Sequence, residues 1–228
     1  MKKLFLLTGL ILFGMTLSAQ ETFFPTKEGT VLTYQSFDKK GKESSAVKYT
    51  IKNVKGSGDN IDITYKVESF DAKEEMVFAD EITIQQRGDK MYFDMSNFIN
   101  KGAFQQNEEI PATVEVTGNS MEIPVNAVAG QTLPDASVAM SMKMGFINMK
   151  MSANVTNRKV EGWEDLTIKA GTFNCCRFSS DVNATVMGIN VKTKNTDWYS
   201  KGIGMVKSES YDKNGKLQST TELIEVKK

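Results

Sequence analysis

Histidine is absent from the 228-residue chain, and its absence excludes several kinds of catalytic or metal site. A Ser-His-Asp triad or a Cys-His pair cannot be assembled without an imidazole base. The usual zinc and haem ligand sets also lose one of their main contributors. The sequence has no glycine-rich phosphate loop, no HExxH and no CxxC motif either. We therefore predict a non-enzymatic protein with no metal and no cofactor.

Cysteine is scarce: Cys175 and Cys176 are the only two, and they are adjacent. Neighbouring side chains on a strand point to opposite faces, so we expect these two to separate, Cys175 with Phe173 and Cys176 with Phe178. No third cysteine is available for a conventional bridge. Ordinary buried thiols on a strand are the favoured interpretation. A disulfide between the two neighbours and a reactive or metal-binding pair are the alternatives.

Only the first residues form a long apolar run. Lys2 and Lys3 give a basic start, Leu4 to Met15 are mainly apolar, and Thr16 to Ala19 end in small residues. This order is typical of a secretory signal peptide, and the run is too short for a stable membrane span. We predict cleavage after Ala19, so that residues 1–19 are removed and residues 20–228 form a single domain.

The predicted cleavage site resembles a bacterial lipoprotein signal with one difference. A lipoprotein needs a cysteine at the next position to carry the lipid, and this chain has Gln20 there. We therefore expect an exported protein that is soluble in the periplasm or outside the cell and is not lipid-anchored.

Basic and acidic residues are nearly balanced. Loss of Lys2 and Lys3 with the leader leaves 26 basic against 28 acidic residues, a net charge of −2. This balance gives no electrostatic footprint for nucleic acid or for an anionic membrane surface. No later apolar run approaches the length of a transmembrane segment.

What the sequence does contain is strand patterning. Short runs of Val, Ile, Thr, Tyr and Phe alternate with polar residues, and Gly, Asn, Asp and Lys clusters separate the runs. Such short links cannot carry parallel crossovers. The pattern predicts an all-β protein of about eleven strands. Its architecture would be one large, twisted antiparallel sheet in a half-barrel or open barrel, with a two-sheet sandwich as the alternative.

Two local predictions concern the middle of the chain. Thr113 to Thr117 and Met121 to Val125 read as a hairpin across Gly118-Asn119-Ser120. Phe146 to Val160 and Asp165 to Ala170 read as two separate strands.

Methionine is concentrated in the stretch MSMKMGFINMKM, which begins at Met140. Its side chains alternate on two strands that would face one interior if the strands pair. Methionine suits irregular cores as well as surfaces that accept varied apolar partners. Core packing, the lining of a lipid or apolar-ligand cavity, and copper(I) binding are the three interpretations. The candidate lining residues are Met140, Met142, Met144, Phe146, Met149 and Met151.

Four stretches resemble the TapB-like family of small exported proteins from Bacteroidetes-type bacteria, which is related to a periplasmic domain family of unknown function. They are EGTVLTYQSFDKKGK from Glu28, AGTFNCCRF from Ala170, DWYSKGIGMVKSESYDKNGKL from Asp197 and TTELIEV from Thr220. The doubled cysteine departs slightly from the single cysteine of that pattern. The resemblance implies a curved antiparallel sheet similar to periplasmic lipoprotein carriers, and it supplies no catalytic residues.

Three functional hypotheses follow. The first is a non-enzymatic envelope protein that binds a lipid or other apolar molecule on the concave face of its sheet. The second is a structural or protein-interaction module with a filled core and an envelope protein as partner. The third is a hydrolase that works without histidine, although the 28 acidic residues single out no carboxylate pair.

Overall fold

The structure is a computed structural model that describes residues 22–98, 113–144 and 147–228. The predicted signal peptide, residues 1–19, and the predicted lining residue Phe146 lie outside the described residues. Within the described ranges, no helix has the length and apolar character that crossing a membrane requires.

Strands make up nearly all of the regular structure within the described residues, which also include a short 3-10 helix at Met95–Phe98. The strands are β1 Val31–Asp38, β2 Glu43–Ser57, β3 Asn60–Asp71, β4 Met76–Arg87, β5 Lys90–Asp94, β6 Thr113–Gly118, β7 Ser120–Pro124, β8 Ala136–Met144, β9 Ile147–Ile168, β10 Gly171–Val186, β11 Ile189–Ser200, β12 Gly204–Asp212 and β13 Leu217–Lys227.

All thirteen strands belong to one antiparallel sheet in the order β6-β8-β9-β10-β11-β12-β13-β1-β2-β3-β4-β5-β7. The sheet curls into a barrel that is nearly closed, with one unsealed seam between its edge strands β6 and β7. The predicted all-β, open-barrel architecture is therefore confirmed, and the sandwich alternative is wrong. The predicted count of about eleven strands was too low.

The two edge strands are consecutive in the chain, separated by Asn119 alone, yet they do not pair with each other. β6 pairs with β8, and β7 pairs with β5. Because every neighbouring pair is antiparallel and the two strands stand first and last of thirteen, β6 and β7 run in the same direction. One continuous run of chain thus leaves one edge of the sheet and joins the other, and so it bridges the seam covalently.

The predicted hairpin between β6 and β7 is therefore wrong, and Gly118 and Asn119 explain the difference. A Cβ at position 118 would lie 2.3 Å from the carbonyl oxygen of Ser137, so this glycine permits close contact with β8. The Asn119 side chain accepts a hydrogen bond from the Ser137 amide (2.6 Å) and donates one to the Asp135 carbonyl (3.0 Å). Gly118 and Asn119 are residue types typical of a turn, but here they attach the chain between β6 and β7 to the start of β8.

β9 is a single strand of 22 residues, where two shorter strands were predicted. Gly162 lies at the join between them with a φ of 144°, a backbone conformation that glycine tolerates best. The register between β9 and β10 shifts at this point and again near Asn157. These bulges bend the strand without ending its pairing.

The barrel has two different ends. We call upper the end where the β11–β12 hairpin turns and where the described chain begins at Thr22. The Gly202 amide of that hairpin donates to the Thr22 carbonyl (2.9 Å). We call lower the opposite end, where the β3–β4, β10–β11 and β12–β13 hairpins turn. The upper half is packed around Phe23 and Phe24, which are 0% and 7% exposed within the largest core cluster.

Candidate functional site

Two adjoining cavities lie inside the barrel, between the upper core and the lower end. Cavity 1, of about 210 Å³, is lined by β1 to β5, and cavity 2, of about 340 Å³, mainly by β8 to β12. Met121, Tyr199 and Met205 line both, so the two cavities meet at these side chains. Together they fall within the range of about 300–1,000 Å³ that is typical of small-molecule sites.

Cavity 1 has a largely apolar wall of aromatic and aliphatic side chains. Tyr34, Tyr49 and Tyr65 form a series of edge-to-face contacts across β1, β2 and β3, with ring centroids 5.6 and 6.1 Å apart. The Tyr34 hydroxyl donates to the Met205 carbonyl at 2.8 Å, which fixes this end of the series. Phe78, two residues after β4 begins beside the β3–β4 hairpin, also lines the cavity, which therefore extends toward the lower end of the barrel. Asp94 and Asn97 add polar groups to its wall.

Tyr65 differs from Tyr34 because its hydroxyl group is buried without a hydrogen bond in the described part of the chain. The residue is 1% exposed, and its hydroxyl has no hydrogen-bond partner among the described residues. Burial raises the pKa of this phenol, so it stays a neutral donor. A buried polar group without a partner costs about 1–3 kcal/mol, so an acceptor in cavity 1 would be favourable.

Cavity 2 differs because its wall carries charge. Arg158 is only 5% exposed and lines this cavity together with Asp197, Asn195 and Ser208. The sequence did not single out Arg158, since a bulge in β9 turns its side chain inward. Its Nη1 donates to the Pro134 carbonyl and its Nη2 to the Glu122 carbonyl, each at 2.6 Å. Glu122 belongs to β7, so Arg158 ties the free edge of the seam to β9.

Burial opposes the charge on both ionisable groups of cavity 2. It lowers the pKa of Arg158, while the negative charges of Glu122 and Asp197 act in the opposite direction. Burial likewise raises the pKa of Asp197, and a hydrogen bond from Ser208 and the charge of Arg158 oppose that shift. Among the described residues, no carboxylate oxygen lies within 4.0 Å of the Arg158 guanidinium.

The interior wall continues past the cavities to an exposed apolar lip at the lower end, formed by Val186, Ile189 and Val191. Val186 alternates with Val182, which lines cavity 2, and it lies opposite Ile189 in the β10–β11 pair. These three side chains therefore occupy interior-facing positions, although they are 39%, 68% and 50% exposed. Apolar side chains at the rim of a hollow barrel are typical of an entrance for an apolar molecule.

The predicted methionines lie on β8 and β9, and the described ones share one face. Met140 is opposite Met151, and Met142 is opposite Met149. Met140 and Met142 are both buried at 2% exposure, whereas Met149 and Met151 are partly exposed. Met144 belongs to β8 opposite Ile147, and its side chain lies outside the described residues.

None of these methionines is among the described lining residues of cavities 1 and 2. Met140 and Met151 border a third depression of about 360 Å³, which they line together with polar residues such as Glu115 and Lys150. Their role in ligand binding stays a prediction. The methionines that do line the two cavities are Met95, Met121 and Met205, which are isolated in the sequence and gave no clustered signal.

The two cysteines separate as predicted. Cys176 belongs to the main core with Phe178, and Cys175 belongs to a cluster on the other face with Trp198 and Val206. Both thiols are free and fully buried, and burial raises the pKa of each to about 12. Buried thiols with raised pKa values are poor nucleophiles, so the interpretation as ordinary core residues is supported. Across residues 22–98, 113–144 and 147–228, no acidic or cysteine cluster is arranged to hold a metal ion.

Two solved structures have the same fold. One is a protein from Bacteroides fragilis that is provisionally described as exported, with a YmcC-like fold; it is 19% identical, with a TM-score of 0.74, over 91% of this chain and 100% of that chain. The other, provisionally described as a lipoprotein, is from Parabacteroides distasonis; it is 24% identical, with a TM-score of 0.73, over 91% of this chain and 99% of that chain. At these identities, the likeness establishes the fold alone.

A search of the curated proteins found no match to this chain. The family described as DUF3108-like matches residues 27–223, which span the barrel from before β1 into β13. The finer TapB-like assignment stays a prediction. The chain belongs to the DUF3108-like family.

Proposed function

We propose that this protein is an exported, non-enzymatic envelope protein that binds a lipid or other apolar molecule inside its barrel. The observation that carries the proposal is the pair of adjoining cavities, which have mainly apolar walls and meet at Met121, Tyr199 and Met205. Protein interiors are normally packed without voids of this size. An unfilled lower half beneath a tightly packed upper half supports a ligand site.

The difference between the two ends of the barrel supports entry of the ligand at the lower end. Phe23 and Phe24 fill the upper half, whereas cavity 1 extends toward the lower end at Phe78. The apolar lip lies at the same end and continues the wall of cavity 2. The Tyr65 hydroxyl offers an acceptor-bearing ligand a hydrogen bond that the described protein atoms do not supply.

Export and the absence of catalysis are parts of the same proposal. The signal-like residues 1–19 support export, and so do the relatives described as exported or as a lipoprotein. Gln20 in place of a cysteine supports release without a lipid anchor. Among the described residues, a single carboxyl group lines each cavity, Asp94 in one and Asp197 in the other. Neither cavity thus holds the pair of carboxylates that glycoside hydrolysis without histidine uses.

The test is to fill the junction of the cavities. Met121→Trp adds an indole where cavities 1 and 2 meet, and we expect it to weaken the binding of an uncharged, apolar fluorescent probe at least about tenfold, ~1.4 kcal/mol. Equilibrium titration of the purified protein measures this affinity, and circular dichroism checks the fold. Met205→Phe, at the second shared position, serves as an independent filling variant.

The matched control is Val128→Trp. Val128 is 66% exposed in the loop after β7, so the same indole there leaves the cavities unchanged. We expect this variant to bind the probe as the wild type does. If the wild type fails to bind the probe, or if all variants bind it equally, the protein-interaction module with a filled core becomes the better hypothesis.

A further inference from the structure

The charged wall of cavity 2 restricts the chemistry of a bound molecule. Arg158 places a cation inside the barrel, where a charged group is rarely found without a polar partner. A guanidinium has five N–H donors. The carbonyls of Pro134 and Glu122 each take one, and the remaining donors have no acceptor in the described part of the chain. The structural role of Arg158 at the seam therefore leaves donors unused.

Asp197 supplies the opposite charge in the same cavity. It lies on β11, two residues before Tyr199, and its carboxyl is near enough to Arg158 for each to affect the pKa of the other. The two groups nevertheless form no ion pair within 4.0 Å among the described residues. Asn195 and Ser208 add an amide and a hydroxyl to the same wall. Cavity 2 thus offers both donors and acceptors and has no net charge on its described lining.

Such a wall disfavours charged head groups of either sign. A carboxylate or phosphate near Arg158 would also lie near Asp197, and an ammonium group near Asp197 would lie near Arg158. Like charges in a poorly solvated site repel strongly. An uncharged group with hydroxyls can accept from the guanidinium and donate to the carboxylate without adding a charge.

Cavity 1 fits the other half of such a molecule. Its wall is apolar and aromatic, and it meets cavity 2 at Met121, Tyr199 and Met205. A single acyl chain in cavity 1 would therefore pass directly to a head group in cavity 2, and its ester carbonyl would offer the acceptor that the Tyr65 hydroxyl of cavity 1 lacks among the described residues.

We propose that the ligand is a single-chain amphiphile with an uncharged, hydroxyl-bearing head group, held with its chain in cavity 1 and its head group between Arg158 and Asp197. This inference rests on the proposed function, because it assumes that the cavities bind an apolar chain. A monoacylglycerol is the simplest molecule of this class.

The experiment compares three probes with the same acyl or alkyl chain: a monoacylglycerol, the fatty acid and the alkyl trimethylammonium cation. Each displaces the uncharged fluorescent probe from the full chain, below its micelle concentration and at mildly alkaline pH. We expect the monoacylglycerol to bind at least about tenfold more tightly than either charged probe, a difference of ~1.4 kcal/mol.

Asp197→Asn removes one charge and keeps the shape of the side chain. We expect the fatty acid to gain about tenfold in affinity in this variant, while the affinity for the monoacylglycerol changes by less than about threefold. Asn195→Asp adds a negative charge to the same wall and should weaken fatty-acid binding further. It provides a second readout if the Asp197 variant does not fold.

The outcomes separate this inference from the proposed function. Equal affinities for the three probes, or a preference that both variants leave unchanged, would overturn the head-group assignment and leave apolar binding intact. If neither the uncharged fluorescent probe nor any of the three amphiphiles binds the wild type, the proposed function and the inference fall together.

Discussion

Replacing Phe23 by alanine is expected to lower the free energy of unfolding by about 3–5 kcal/mol. Phe23 is fully buried, stacks on Trp163 with ring centroids 6.0 Å apart and meets Phe178 and Tyr199 edge to face. Its removal leaves a hole among rings that strands of the sheet hold in place, so the site cannot collapse to fill it. Urea unfolding followed by tryptophan fluorescence measures the loss.

Ile189→Ala provides the comparison for Phe23. Ile189 is an apolar side chain of the lip and is 68% exposed, so its truncation should change stability by no more than about 0.5 kcal/mol. If Phe23→Ala and Ile189→Ala have similarly small effects, the segment at Thr22–Phe24 does not hold the upper end of the barrel together.

Replacing Arg158 by methionine is expected to destabilise the protein by about 3 kcal/mol, because hydrogen bonds to charged groups contribute about 1.5–3 kcal/mol each. The substitution removes both guanidinium bonds and leaves the carbonyls of Pro134 and Glu122 without them. It also leaves Asp197 inside the barrel without its neighbouring cation. Urea unfolding measures the total loss of stability, and hydrogen exchange shows which strands are destabilised.

The hydrogen-exchange pattern distinguishes a seam effect from general destabilisation. We expect the amides of β7 and of residues 125–135 to exchange faster than those of β2 and β3, since β7 depends on β5 alone for strand pairing. Arg177→Met is the matched control, because Arg177 bonds Glu164 on the surface at 3.3 Å and is 40% exposed. Exposed ion pairs contribute about 0–1 kcal/mol, so this variant should remain close to the wild type. Uniform acceleration of exchange in Arg158→Met would contradict a role at the seam.

The sequence predicted the strands well because alternation is a local property. β8 and β11 begin and end where the pattern of apolar residues indicates, at Ala136–Met144 and Ile189–Ser200. The pairing of β1 with β13, by contrast, joins the first and the last strand of the chain, and no local sequence pattern indicates it. The hairpin predicted across Gly118 and Asn119 is wrong for a similar reason. Both residue types favour turns locally, but here they contact Ser137 and Asp135, which are distant in the sequence.

The candidate site was harder to predict than the fold. The methionine cluster of β8 and β9 indicated an apolar interior, and Met140 and Met142 are indeed buried. The cavity walls, however, come from residues far apart in the sequence, such as Tyr34, Met121 and Tyr199. A lone arginine among polar neighbours reads as a surface residue, and only the bulge near Asn157 and the seam show why Arg158 is buried.

The central claim is that the lower half of the barrel holds an apolar molecule. Native mass spectrometry of the protein isolated gently from its own envelope tests this most directly, together with organic extraction of the same sample. The account predicts one small amphiphilic molecule bound per chain in the wild type and in Val128→Trp, and none in Met121→Trp. Folded wild-type protein at its bare mass, with no lipid in the extract, would contradict the account.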